Sequence, residues 1–192
     1  AEVSAKRIEE VFNLDPIIKN KPADSDFDEK VSIEFDHVTF VYPDGEEPVL
    51  QDVSFKANKG EMIAFIGSTG SGKSTLVNLV PRFYDVTNGE VLVDGENVKD
   101  YKLESLYNKI GYISQKAVLF SGTINENVAY GKSLNVINEN KIMDAIKIAQ
   151  AKEFVDKMPD KYESFIAQGG TNISGGQKQR ISIARAIARN PE

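Results

Sequence analysis

The stretch Gly67-Ser68-Thr69-Gly70-Ser71-Gly72-Lys73-Ser74 decides how the rest of this chain is read. It matches G-x-x-x-x-G-K-[ST], the loop that cradles phosphates. An apolar run, Met62–Ile66, precedes it, and a helical pattern through Leu76, Val77 and Leu79–Val80 follows. Strand, loop and helix in that order are the context the motif needs. Each residue type has a chemical reason. Glycines let the backbone curl so that successive N–H groups point inward at phosphate oxygens. The start of the following helix adds its partial positive charge. Lys73 is placed to reach β- and γ-phosphates as a point charge, and the Ser74 hydroxyl to bind Mg²⁺. The candidate nucleotide-binding set is therefore Ser68, Thr69, Gly70, Ser71, Gly72, Lys73, Ser74 and Thr75.

Upstream of the loop the pattern is β-rich. Val31, Ile33 and Phe35 alternate, and after a break Val38, Phe40 and Tyr42 alternate again. Pro43-Asp44-Gly45 reads as a turn, and Val49-Leu50 with Val53 and Phe55 as a returning strand. Met62–Ile66, short and apolar, reads as a buried strand. Val91–Val93 and Ile110–Ile113 predict two more strands. Further upstream, residues 2–12 predict a short helix stopped by Asp15-Pro16, and the polar residues 19–30 predict a linker. Downstream the chain turns helical. Residues 139–157 place Ile142, Ala145, Ile146 and Ala149 on one stripe, and residues 175–189 carry Ile181, Ala184 and Ala188 at helical spacing. The fold class is α/β.

The 192 residues suit one ordinary domain, with 41% hydrophobic and 27% charged residues. A net charge of -6 argues against a binder that works by neutralising nucleic-acid phosphates. There is no cysteine, which excludes disulfides, thiolate metal sites and cysteine nucleophiles. The single histidine, His37, makes a histidine-rich metal site impossible, and it reads as structural. No apolar run is long enough to span a bilayer, and the N-terminal stretch lacks an apolar signal core. Lys178, Arg180, Arg185 and Arg189 space out along one predicted helix and read as a solvated face.

A second glycine motif, Ile173-Ser174-Gly175-Gly176-Gln177, opens that helix. Ser174 fits an N-cap, and Gln177 lies at the spacing of a capping box. Two glycines there are poor helix formers, so their use is close backbone approach to something. A helix start with bare N–H groups invites an anion.

The two motifs in this order, with Gln115 of Gly-Tyr-Ile-Ser-Gln between them, resemble the nucleotide-binding domain of ABC transporters. The resemblance covers essentially the whole chain. It implies a P-loop NTPase core, an N-terminal antiparallel β subdomain and a helical subdomain carrying the signature. It also implies ATP and Mg²⁺ as cofactors, and a head-to-tail dimer with a second such domain, like or unlike. Ile173–Gln177 aligns with the signature, with Ile for the usual Leu, so Ser174, Gly175, Gly176 and Gln177 would meet the ATP of the partner domain. Gln115 aligns with the glutamine that senses Mg²⁺ and the attacking water, and Tyr42 with the aromatic that stacks on adenine. Lys73 and Gln115 are thus the expected catalytic groups, and Ser74 and Gln115 the expected metal contacts.

Leu119–Ile124 and Asn127–Gly131 look like the exporter form of the segment after that glutamine. Ala5–Ile8 resembles the exit from an exporter's last transmembrane helix. The resemblance therefore implies a transmembrane partner domain, a place on the cytoplasmic face of the membrane, residues 1–30 as a linker and 31–192 as the ATP-binding domain. A chromosome-type ATPase would carry coiled-coil arms between Gln115 and Ser174, and no heptad run lies there. A catalytically degenerate half of a heterodimeric exporter is the alternative left open. In the family, an apolar strand ending in Asp-Glu and then a switch histidine follow Ala-Arg-Asn-Pro. The sequence stops at Glu192, so the expectation is that these groups are missing and that 192 residues hydrolyse ATP poorly.

Overall fold

The computed structural model describes residues 2–20, 33–131 and 138–191. The chain divides into two compact units, Ala1–Leu106 and Tyr107–Glu192. The expected boundary at residue 30, most of the expected linker, and Val31 fall outside the described residues.

The first unit opens with helix α1 (Glu2–Phe12), which ends before Asp15-Pro16 and leaves Ile8, Val11 and Phe12 exposed. Strand β1 (Ile33–Phe40) then pairs antiparallel with β2 (Leu50–Ala57) and with β3 (Asn88–Val93). A short β4 (Glu96–Asn97) follows β3, giving the order β2-β1-β3-β4. The break in the alternation of β1 has a cause. The register slips between Phe35 and Val38, and this bulge turns Phe35, Val38 and Phe40 all to the buried face. Phe35 stands opposite Phe55 with the rings stacked at 4.6 Å. The expected turn closes where the Gly45 N–H donates to the Tyr42 carbonyl at 2.9 Å. Helix α2 (Lys73–Leu79) buries Leu76 and Leu79.

Two expected strands do not form. Met62–Ile66 has no ladder, and Met62 and Ile66 are 95% and 96% exposed. A buried strand needs neighbours to take its N–H and C=O groups. Every pairing among the described residues is antiparallel, and none reaches this run. Phe65 meets Phe55 of β2 edge-to-face, with the ring centroids at 5.2 Å. Ile110–Ile113 likewise forms no strand.

Helix α3 (Leu103–Lys109) runs across the chain position where the two units divide. In the second unit β5 (Gly122–Thr123) pairs antiparallel with β6 (Phe165–Ile166). Helices α4 (Ile124–Val128), α5 (Glu139–Ile148), α6 (Lys152–Asp156) and α7 (Gly175–Ala188) pack around Ile124, Val128, Ile146, Val155, Ile166 and Ile181. The helix expected over 139–157 is thus two. Gln150 takes a left-handed φ of 56°, while the Ala151 N–H reaches the Ile146 carbonyl and the Gln150 N–H the Lys147 carbonyl. That is a Schellman cap, which satisfies the last carbonyls of α5 and ends it despite the continuing apolar stripe.

Candidate functional site: a phosphate loop and a capped glycine helix

The loop Gly67–Gly72 runs straight into α2, with Gly72 as its N-cap residue. Gly72 is buried at φ 83°, and a Cβ there would lie 2.8 Å from Leu50 Cδ2 and 3.0 Å from the Val49 carbonyl. Any other residue would both strain the backbone and push the loop off β2. The Leu76 N–H returns to the Gly72 carbonyl at 2.9 Å, so the helix begins at once. Lys73 folds back over the loop. Its Nζ donates to the carbonyls of Gly67 at 2.9 Å and Ser68 at 2.6 Å, and to Ser71 Oγ at 3.1 Å. The loop's own oxygens thus take up all three N–H groups of the lysine, which has to turn from them to meet a phosphate. Ser74 is exposed beside it in the first turn of α2, with its hydroxyl accessible to a cation bridging to phosphate. Lys73 and the Ser74 hydroxyl are the groups here that could hold a nucleoside triphosphate and its Mg²⁺. Among the described residues no group of three or more His, Asp or Glu side chains could hold a metal by protein ligands alone. Ser74 could supply one oxygen ligand to a Mg²⁺ ion here.

Tyr42 is half-buried at the end of the same unit's sheet. Its ring packs edge-to-face with Phe40 at 4.8 Å and with Tyr84 at 5.1 Å. Its hydroxyl lies 2.9 Å from Thr75 Oγ1, in α2. The structure thus brings the expected base-stacking residue to the expected phosphate helix. Tyr84 is the member of this cluster that sequence reasoning passed over, because it follows the loop helix in no recognisable motif.

In the second unit, Ser174 caps α7 with the expected capping box. Ser174 Oγ accepts from the Gln177 N–H at 3.3 Å, and Gln177 Oε1 accepts from the Ser174 N–H at 2.8 Å. Gly175 and Gly176 are exposed, and a Cβ on either would meet nothing within 4 Å. Packing within the chain does not demand glycine at either position. Gln115 is exposed on a bend that the Ser114 hydroxyl spans by donating to the Lys116 carbonyl at 2.7 Å.

The basic stripe of α7 is not the solvated face expected from its spacing. Only Arg180 is exposed. Lys178 donates to the Gly169 carbonyl, and Arg189 to the Tyr107 carbonyl. Arg185 is half-buried. Its guanidinium donates to the carbonyls of Asn127 at 2.7 Å and Val118 at 2.9 Å, and to Asn127 Oδ1 at 3.1 Å. It also lies about 5.5 Å over the stacked rings of Phe120 and Tyr130. A guanidinium presents five donors in a fork, and turning it inward satisfies carbonyls that no strand takes up. The acceptors lie 58 and 67 positions away along the chain, so no local pattern signals this.

A glycine loop closed over a lysine, leading into a helix, defines a P-loop nucleotide-binding domain. The separate capped Ser-Gly-Gly helix narrows the class, and comparison with known proteins agrees. Residues 50–192 match the ABC transporter family model, so the chain belongs to the ABC transporter family. Over 159 residues, 83% of the chain, it is 46% identical to a multidrug export ATP-binding/permease protein of Staphylococcus aureus. Over an equal length it is 49% identical to one of Bacillus subtilis, YgaD. The chain spans 27% of the length of each of these relatives. A solved bacterial Atm1-family ABC exporter with ATP bound aligns with 98% of the chain and 33% of its own length, at TM-score 0.89 and 31% identity. The mixed α/β fold, with an antiparallel sheet and helices, agrees with that neighbour. No helix among the described residues is long and apolar enough to cross a membrane.

Proposed function

We propose that this chain is the motor part of an exporter that couples ATP binding and hydrolysis to transport across a membrane. The observation that carries the reading is the loop wound around Lys73 Nζ, with Ser74 beside it and Tyr42 joined to the same helix. In this reading Lys73 holds the β- and γ-phosphates, and Ser74 with Gln115 holds Mg²⁺. Tyr42 stacks on adenine. Ser174, Gly175, Gly176 and Gln177 close over the ATP of a second such domain, head to tail. The open space above Gly175 and Gly176 supports this, because a phosphate from another chain needs that approach. The partner set is that second domain, like or unlike, and a transmembrane domain. The place is the cytoplasmic membrane face. Multidrug export is the activity in the names of its relatives, and we extend the exporter role, without a substrate, to this protein.

The set Ser68–Thr75 with Gln115 contains no carboxylate to accept a proton from water. The 192 residues alone are therefore proposed to bind ATP and to turn it over slowly. The test is titration with a fluorescent ATP analogue and Mg²⁺, beside Lys73→Ala, with phosphate release followed in the same samples. Binding lost in Lys73→Ala, with little phosphate released, is expected. Equal binding by both proteins would overturn the site, and rapid phosphate release would overturn the slow turnover.

A further inference from the structure

Tyr42 and Thr75 enter the nucleotide reading separately, one at the base and one at the phosphates. The structure joins them by a hydrogen bond of 2.9 Å between side-chain oxygens 33 positions apart. Thr75 is only 6% exposed, so little water competes for its hydroxyl. The ring of Tyr42 has few other ways to sit, with Phe40 and Tyr84 set at 80° and 87° to it. A hydroxyl has one proton to donate and two lone pairs to accept with. When Tyr42 donates to Thr75, the threonine proton stays free for a phosphate oxygen. When Thr75 donates to Tyr42, that proton is used up. The state of this one bond therefore bears on both ends of a bound nucleotide.

We infer that Thr75 is a positioning residue for Tyr42: its hydroxyl fixes the ring that takes the nucleobase and so couples base recognition to triphosphate binding. This rests on the nucleotide site proposed above and adds a specificity device to it. The device sits where two stretches far apart in sequence, the loop just past the end of β1 and the first turn of α2, meet.

The experiment compares two probes on the 192-residue chain with Mg²⁺ present. One is ATP and the other is tripolyphosphate, which has the phosphates and no base. The ratio of tripolyphosphate to ATP dissociation constants measures what the base contributes. Tyr42→Phe keeps the ring and removes the hydroxyl. Thr75→Val removes its partner, and Thr75→Ser retains it. Tyr42→Phe and Thr75→Val should each lower the ratio by about 3–10-fold, the scale of one hydrogen bond. Thr75→Ser should keep it. The double variant should lose no more than either single one, because both remove the same interaction. A ratio unchanged in Tyr42→Phe overturns the inference. So does a Thr75→Val chain that weakens both probes equally, which would leave Thr75 a phosphate contact and nothing more. ATP binding that Lys73→Ala leaves intact would instead overturn the nucleotide site itself.

Discussion

Two short apolar runs of this chain have opposite fates. Val91-Leu92-Val93 lies in β3, with Val91 and Val93 each 1% exposed. Met62-Ile63-Ala64-Phe65-Ile66 is as apolar and forms no strand. The difference lies in what stands beside them. β1 runs antiparallel to β3 and takes its N–H and C=O groups, whereas no described strand takes those of the second run. Strand propensity records how well side chains fit a half-buried pleat, and the ladder decides whether a pleat exists.

The comparison breaks if the second run is held as firmly as the sheet. Phe35→Ala, at a position 1% exposed and stacked on Phe55, should cost about 3–5 kcal/mol in urea unfolding. Met62→Ala, at a position 95% exposed, should change stability by less than about 0.5 kcal/mol. A comparable cost for both would mean that Met62–Ile66 is packed in solution.

Glycines sharpen the same contrast. Gly89 sits at φ 74° where the bulge of β1 comes close, and a Cβ there would lie 2.3 Å from the His37 carbonyl oxygen. Gly89→Ala should cost about 2 kcal/mol, since a left-handed alanine alone costs roughly 1–2 and the backbone atom cannot yield. Gly176→Ala meets nothing, so the helix should be unchanged or gain up to about 1 kcal/mol. ATP-dependent pairing of two domains should weaken in the same variant. Thermal midpoints give the first comparison, and size-exclusion with and without ATP gives the second. A destabilised Gly176→Ala chain would show that the glycine serves the chain's own packing.

Much of this was legible in the sequence because the signals are local. The loop motif, the Ser174–Gln177 box and the turn at Tyr42–Gly45 each need only a few neighbouring residues. The break in alternation at Asp36-His37 marked the bulge for the same reason. What the sequence hid depends on distant partners. The ladder for Met62–Ile66 is one case, and the carbonyls of Val118 and Asn127 that turn Arg185 inward are another. The split of 139–157 is a local event, but it happens at a glutamine where a glycine is the usual sign. Tyr42 meeting Thr75 could not be read from either motif alone.

Arg185 and Arg180 repeat the contrast on one helix. Arg185→Lys keeps the charge and loses the fork that reaches three acceptors, so it should cost about 1.5–3 kcal/mol in urea. Arg180→Lys, exposed, should cost nothing measurable. Equal responses would restore the solvated-face reading of the basic stripe.

The smallest effect tests the bulge itself. His37 and Asp52 face each other across β1 and β2, both with left-handed φ, at 48° and 50°. His37 Nδ1 lies 2.6 Å from Asp52 Oδ1, and Nε2 lies 3.8 Å from Asp36. The hydrogen bond to Asp52, then the charges of Asp52 and Asp36, raise the imidazole pKa above its ordinary value. The folded chain therefore binds this proton more tightly than the unfolded one. The added stability is complete below the unfolded pKa of about 6.5 and fades as pH rises through the higher folded value. The group is exposed, so solvent keeps the effect small. His37→Asn accepts the left-handed backbone without titrating, and should flatten the thermal midpoint between about pH 5.5 and 8.5 relative to the unaltered chain. An unchanged slope in that variant would assign the pH dependence elsewhere. It would leave the bulge held by the Ser54 and Thr39 hydroxyls, which accept from the His37 and Asp52 N–H groups at 2.9 and 3.1 Å.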